Sequence, residues 1–164
     1  MYDSPVFLGG ALSCPYDCRQ FKTPPSKGVS GRETPLPETQ MIAVVDDDES
    51  MRVATRHLVQ ALGFRTSTFA SAEDFLQSPH MAEWSCVISD VNMPGLSGLD
   101  LQRRLAADGR HVPIIFVTAF PDKAIEERAL KAGAIGFLNK PFDCNSLAEC
   151  LERALHRNGP QPQA

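Results

Sequence analysis

No stretch of this chain holds the ~18–20 consecutive apolar residues that a bilayer-spanning helix requires, so no membrane span is expected. Nor is there an excess of basic residues. The formal net charge is −4, which removes the electrostatic basis for binding nucleic acid or an anionic membrane. Residues 1–10 carry one acid, Asp3, and no base, so the positive start of a secretory leader is missing. Ala11-Leu12-Ser13-Cys14 has a passing likeness to a lipoprotein cleavage site, but no apolar segment precedes it. The five cysteines, Cys14, Cys18, Cys86, Cys144 and Cys150, are odd in number and lack paired zinc-ligand spacing. They read as free thiols of a reducing cytoplasm.

The 164 residues suit one domain with a tail. Residues 1–40 hold six of the thirteen prolines and little apolar periodicity. They are read as a disordered extension, and Met41 is an alternative start. From Met41 to about Arg157 short apolar runs alternate with helical spacings. Met41–Val45 reads as a strand buried on both faces. Asp48–Leu62 follows as a helix, with Met51, Ala54, Leu58 and Ala61 on one face and Gly63 as its stop. Phe64–Phe69 is a strand and Ser71–Gln77 a short helix capped by Ser71. Trp84 falls between elements as a packing anchor. Cys86–Ser89 is a buried strand, and Ser97 caps a helix to about Ala107 that Gly109 ends. Pro113–Val117, Pro121–Ala132, Ala134–Leu138 and Asp143–His156 continue the alternation, with Leu147, Leu151 and Leu155 in register along the last helix. Asn158-Gly159-Pro160 closes it, leaving 158–164 as a short tail. Five successive β-then-α units predict an α/β fold, a parallel sheet with helices on both faces. In such sheets ligands sit at the carboxyl ends of the strands.

Those ends carry the chemistry. The first strand ends in Asp46-Asp47-Asp48, the third in Asp90, the fourth in Thr118 and the fifth in Lys140-Pro141. Carboxylates gathered in one cleft repel by ~4 kcal/mol per pair at 4 Å and an effective dielectric of 20. They therefore raise one another's pKa or demand a cation. Hard oxygen donors suit Mg²⁺. An ionised aspartate, a divalent ion and a lysine together make a nucleophile with two charge clamps for a phosphoryl group. Thr118 has a hydroxyl to offer a phosphoryl oxygen. Asp48 and Glu49 read instead as acids favoured at a helix N-terminus. His57, His80, His111 and His156 share no spacing and read as surface or packing residues.

Val45-Asp46-Asp47, Ser89-Asp90-Val91-Asn92-Met93-Pro94-Gly95, Thr118-Ala119 and Asn139-Lys140-Pro141 resemble the signature of bacterial response-regulator receiver domains. The stretch from Val87 to Leu101 is similar to the chemotaxis response regulator. Val44 to Asp48 and Phe137 to Phe142 look more like the nitrogen-fixation (FixJ-like) receivers. The resemblance implies a doubly wound (βα)5 sheet of order 2-1-3-4-5, with Asp90 as phosphoacceptor. It implies Mg²⁺ (or Mn²⁺) on Asp47, Asp90 and the Asn92 backbone carbonyl, with Asp46 acting through metal-bound water. Thr118 and Lys140 would contact the phosphoryl oxygens, and the Lys140-Pro141 peptide would be cis. Phe137 takes the place of the family's rotating aromatic, without the hydroxyl of the tyrosine often found there. Asn92 and the bulky Phe120 would flank the phosphoryl group, where Phe120 is expected to slow or redirect dephosphorylation.

The implied donor is a sensor histidine kinase or phosphotransfer protein. The implied output is a downstream protein or a second copy, bound through the helix 4–strand 5–helix 5 face. Only eight residues follow His156, too few for a helix-turn-helix or catalytic output domain. A fragment of a longer FixJ-like transcription regulator is the alternative. Three other functions share parts of this pattern. A haloacid-dehalogenase-like phosphatase shares the D-x-D spacing of Asp46-Asp47-Asp48, but needs acids where Lys140-Pro141 stands. In a flavin carrier, Asp46 and Asp47 would repel the cofactor's phosphate. A receiver-like module that is never phosphorylated is separated only by experiment.

Overall fold

The computed structural model describes residues 40–157. The expected disorder of the first segment, Cys14, Cys18 and the closing Asn158-Gly159-Pro160 lie outside the described residues. Strands and helices alternate as β1 (Met41–Val45), α1 (Glu49–Ala61), β2 (Arg65–Phe69), α2 (Ala72–Leu76) and β3 (Trp84–Asp90), then α3 (Gly98–Ala107), β4 (Ile114–Thr118), α4 (Lys123–Lys131), β5 (Gly136–Asn139) and α5 (Cys144–Arg157). The strands pair in parallel in the order β2-β1-β3-β4-β5, the doubly wound arrangement expected from the sequence.

The continuous apolar runs follow from burial on both faces of the sheet. Side chains alternate along β1. Ala43 and Val45 join Val87, Phe116, Phe75, Leu101, Leu105 and Ala129 in a core under α2, α3 and α4. Ile42 and Val44 join Ile88, Ile115, Val117, Val59, Leu147 and Leu151 under α1 and α5. The α5 spacing of Leu147 and Leu151 thus marks a buried face, with Leu155 half-buried beside it.

Three local expectations are corrected. The face proposed for α1 is displaced: Ala54 and Ala61 are exposed, while Thr55 and Val59 are buried. Alanine favours helix for backbone reasons and has little surface to bury, so its spacing is a poor guide to the inner face. β3 is longer than Cys86–Ser89 and contains Trp84. The register of β1 on β3 shifts between Met41 and Ile42, so Met41 pairs with Trp84 and Ile42 with Cys86. Ser85 falls at that irregularity and disguises the strand's start. Trp84 is an anchor nonetheless, its ring edge-on to Phe69 at 5.6 Å. Finally, α4 starts at Lys123 rather than Pro121, because the Asp122 carboxylate accepts the amides of Ala124 and Ile125 as its N-cap.

α3 begins with a capping box: Ser97 Oγ accepts the Asp100 amide, and the Asp100 carboxylate accepts that of Ser97. The Ser97 hydroxyl also donates to Asp100 Oδ2 at 2.7 Å, and this bond first and the Ser97 amide second hold the Asp100 carboxyl below its ordinary value. Gly98 follows, and its bare Cα is required by its neighbours. A Cβ there would lie 2.3 Å from the Asp90 backbone oxygen, 2.9 Å from Phe116 Cε1 and 3.1 Å from Val91 Cα. Two of those atoms are backbone and cannot give way cheaply. Gly98→Ala is expected to lower unfolding stability by about 1–3 kcal/mol despite alanine's better helix propensity. Urea denaturation checks this; unchanged stability would show that the loop after β3 yields freely.

Candidate functional site

β1 and β3 are neighbours at the point where the strand order reverses, and Val45 pairs with Ser89. The residues that follow, Asp46 and Asp90, therefore leave the sheet side by side. Beyond them Asp90 pairs with Val117, and Thr118 with Asn139, which carries Thr118 and Lys140 to the same edge. Carboxylate oxygens of Asp46, Asp47 and Asp90 all lie within 4.8 Å of one another. Asp46 and Asp90 are buried and Asp47 is exposed.

Each buried acid is held by defined donors. Asp46 Oδ1 accepts the Asp48 amide at 2.9 Å, and the Asp46 backbone oxygen accepts Arg52 Nη1 at 2.7 Å. Asp90 Oδ1 accepts the Asn92 amide at 2.9 Å, and the Asp90 backbone oxygen accepts Ser89 Oγ at 3.0 Å. Lys140 Nζ bridges the two, donating to Asp46 Oδ2 at 2.8 Å and Asp90 Oδ2 at 2.7 Å. Burial pushes the Asp46 carboxyl above its ordinary value, against the opposing pull of Lys140 and the Asp48 amide. Burial works against the Lys140 ammonium too, but its bonds to Asp46 and Asp90 outweigh that, and its pKa is raised.

Three carboxyl groups share one ammonium in a partly buried cleft, so the acids outnumber the base. The donors are hard oxygens, and one of the three acids opens to solvent. That set fits a small divalent cation such as Mg²⁺, which keeps several waters and takes few protein ligands.

Around this centre, the Thr118 side chain is fully buried. Its hydroxyl donates to the Phe120 carbonyl at 3.3 Å and accepts the Phe120 amide at 3.1 Å and the Asn92 Nδ2 at 3.4 Å. Asn92 is exposed at the rim. Phe120 is 76% exposed, so the structure sets it out in solvent beside Thr118. Phe137 is half-buried against the α2–α4 core, its ring centroid 6.3 Å from that of Phe116. The Lys140–Pro141 peptide is cis. All four histidines are exposed and none enters the cluster.

The sequence model of the response regulator receiver domain matches residues 42–152. The chain belongs to that family. This receiver is 39% identical over 134 residues to nodulation protein W of Bradyrhizobium diazoefficiens, a match covering 82% of this chain and 59% of that protein. The solved structure of the response regulator StyR superimposes with a TM-score of 0.68 at 41% identity, covering 73% of this chain and 61% of that one. The structure of FixJ-N superimposes with a TM-score of 0.65 at 31% identity, covering 71% and 94%. The chain spans just under three-fifths of the curated relatives it matches first, 59% and 58% of their lengths. No helix among the described residues is long and apolar enough to cross a membrane.

Two residues that shape the receiver's site escape sequence reasoning. Arg52 ties the first turn of α1 to the acidic turn, and Gly98 admits the Asp90 carbonyl. Nothing distinguishes an arginine early in a helix from any solvated charge. The glycine had a weak signal, since it stands directly after an N-cap where glycine has no capping role.

Proposed function

We propose that this receiver accepts a phosphoryl group on Asp90 from the phosphohistidine of a sensor kinase or phosphotransfer protein, and that phosphorylation switches a protein-binding surface. The observation that carries the reading is the Lys140 ammonium bridging Asp46 and Asp90 at the strand edge, with Asp47 completing the acidic cluster. A carboxylate so placed is oriented by its donors and flanked by a cation.

In the reaction an Asp90 oxygen attacks the phosphorus, the donor's P–N bond breaks, and the freed imidazole takes a proton from water. Mg²⁺ (or Mn²⁺), held by Asp47, Asp90 and the Asn92 carbonyl, with Asp46 acting through water, would neutralise charge on the phosphoryl oxygens. Lys140 shifts its bond from the Asp90 carboxylate to a phosphoryl oxygen. Thr118 gives up its bond to the Phe120 carbonyl and donates to another. Phe137, packed beside Phe116, then turns inward, and the change reaches the α4–β5–α5 face. That face binds a downstream protein or a second copy.

On this reading the chemistry is confined to self-phosphorylation and autodephosphorylation, with no turnover of a separate substrate. The working unit is residues 41–157, flanked by an extension over 1–40 and a tail over 158–164, acting in the cytoplasm without direct contact to nucleic acid or membrane. One observation favours a second arrangement: the chain matches just under three-fifths of its relatives' lengths, as a receiver portion of a longer FixJ-like transcription regulator would.

Incubation with Mg²⁺ and a small phosphodonor, followed by intact-mass measurement, tests the proposal. One added phosphoryl group that chelator prevents is expected; an unchanged mass overturns it in favour of a non-phosphorylated binding module. A further expectation concerns Phe120. On this reading its bulk, two residues beyond Thr118, limits the approach of water once Asp90 is phosphorylated, so Phe120→Ala should lose its phosphoryl group a few-fold faster. Equal decay rates for both proteins would remove Phe120 from the mechanism.

A further inference from the structure

The loop that leaves Asp90 is fastened at both ends by the backbone. The Val91 amide donates to the Val117 carbonyl at 3.0 Å, and the Gly98 amide donates to the Val91 carbonyl at 3.0 Å. Val91 and Met93 are buried in the α2–α4 core. Between these anchors the residues 94–97 make a separate contact to α2. Glu73 Oε1 accepts the Leu96 amide at 3.0 Å across 23 residues of sequence. The carboxylate lies against Gly95: a Cβ there would stand 2.5 Å from Glu73 Oε1 and 3.4 Å from Glu73 Cδ. Gly95 also has φ +77, in the left-handed region. The turn therefore requires glycine, and any side chain there would have to displace the Glu73 carboxylate.

A carboxylate is a costly choice for this contact. Glu73 Oε2 is buried and has no hydrogen-bond partner, and such an oxygen carries a desolvation cost that an exposed surface acid would avoid. The same loop carries Asn92, whose amide bonds to Asp90 Oδ1 and whose side chain reaches Thr118. From this geometry we infer that Glu73 is a positioning residue for the metal site: it clamps the loop after β3 from α2, and so holds Asn92 in place beside Asp90. The inference rests on the reading that Mg²⁺ binds at Asp46, Asp47 and Asp90. Glu73 touches neither the ion nor the phosphoryl group in that reading; it acts through the Leu96 amide and the loop backbone. Partners outside the ligand shell commonly contribute ten- to a hundredfold to metal affinity.

The test is calorimetric titration of the full chain with Mg²⁺ for wild type, Glu73→Ala, Glu73→Gln and Gly95→Ala, with melting temperature and the amide spectrum recorded for each. Glu73→Ala is expected to weaken Mg²⁺ binding about tenfold, the lower end for an outer partner. Glu73→Gln keeps an oxygen acceptor and should restore affinity to within about twofold of wild type, where a charge effect would not be rescued. Gly95→Ala should weaken binding comparably, and the Gly95→Ala/Glu73→Ala pair should be no weaker than the worse single variant, because both break one contact. The Leu96 and Asn92 amide resonances should move in Glu73→Ala. A Mg²⁺ affinity unchanged in Glu73→Ala overturns the clamp, as does an equal loss in Glu73→Gln. Should Glu73→Ala fail to fold, the Glu73→Gln and Gly95→Ala titrations still decide it. Failure of the wild-type chain to bind Mg²⁺ would instead overturn the metal reading on which the clamp depends.

Discussion

Asp90→Asn protein is expected to gain no phosphoryl group from phosphodonor and Mg²⁺ under conditions that modify wild type. The amide keeps the size and shape of the carboxylate, and its single oxygen still accepts one of the two donors, the Asn92 amide or the Lys140 ammonium, while its nitrogen accepts neither. It lacks the negative charge that makes the oxygen a nucleophile, and it weakens the site's hold on a cation. Because one of three mutually repelling acids is neutralised, the fold should survive, and the variant's unfolding midpoint without Mg²⁺ should be no lower than that of wild type. Intact mass after incubation gives the outcome directly. Full modification of Asp90→Asn would move the acceptor to another residue, with Asp47, the exposed acid of the cluster, next to be replaced.

Replacing the bridging lysine has the largest expected effect on stability. In Lys140→Met the buried Asp46 and Asp90 lose their shared ammonium, whose side chain is 9% exposed in wild type. Removing one partner of a buried ion pair leaves an uncompensated charge, and a loss of about 3 kcal/mol is expected in urea unfolding without Mg²⁺. The pH dependence identifies the cause. The Asp46 carboxyl is already raised by burial, against the lowering pull of Lys140. Without Lys140 it rises further. A carboxyl raised in the folded state destabilises where it must be ionised, so the variant's deficit is full above that raised value and shrinks as pH falls through it. Added Mg²⁺ should also narrow the gap, by supplying the missing positive charge. A deficit constant across pH and indifferent to Mg²⁺ would trace the loss to packing of the lysine stem alone.

These effects are large because the sheet gathers groups that are far apart in sequence. Lys140 and Asp46 are 94 residues apart and Lys140 and Asp90 are 50 apart, yet one nitrogen serves both carboxylates. The candidates themselves were legible, because each acid or lysine stood within two residues of the end of a short apolar run, and in a parallel sheet those positions share one edge. Other features left weaker marks. Val59 rather than Ala54 faces the core from α1, since side-chain volume decides what is worth burying. Trp84 lies inside β3 because the register shift beside Met41 absorbs Ser85. Glu73 carries no mark in the sequence beyond its place in a helix's first turn, and its bond to Leu96 arises only when α2 and the loop after β3 are packed together.

By itself, the sequence determined the number, kind and order of the elements, and which residues stand at the strand ends, because hydrophobic period and turn residues act over a few positions and need no distant partner. Tertiary structure alone decided which oxygen meets which nitrogen, which acid is buried and which is open to solvent, and which glycines must stay bare. Those are distances between segments, and a chain acquires them only when its strands have found their neighbours.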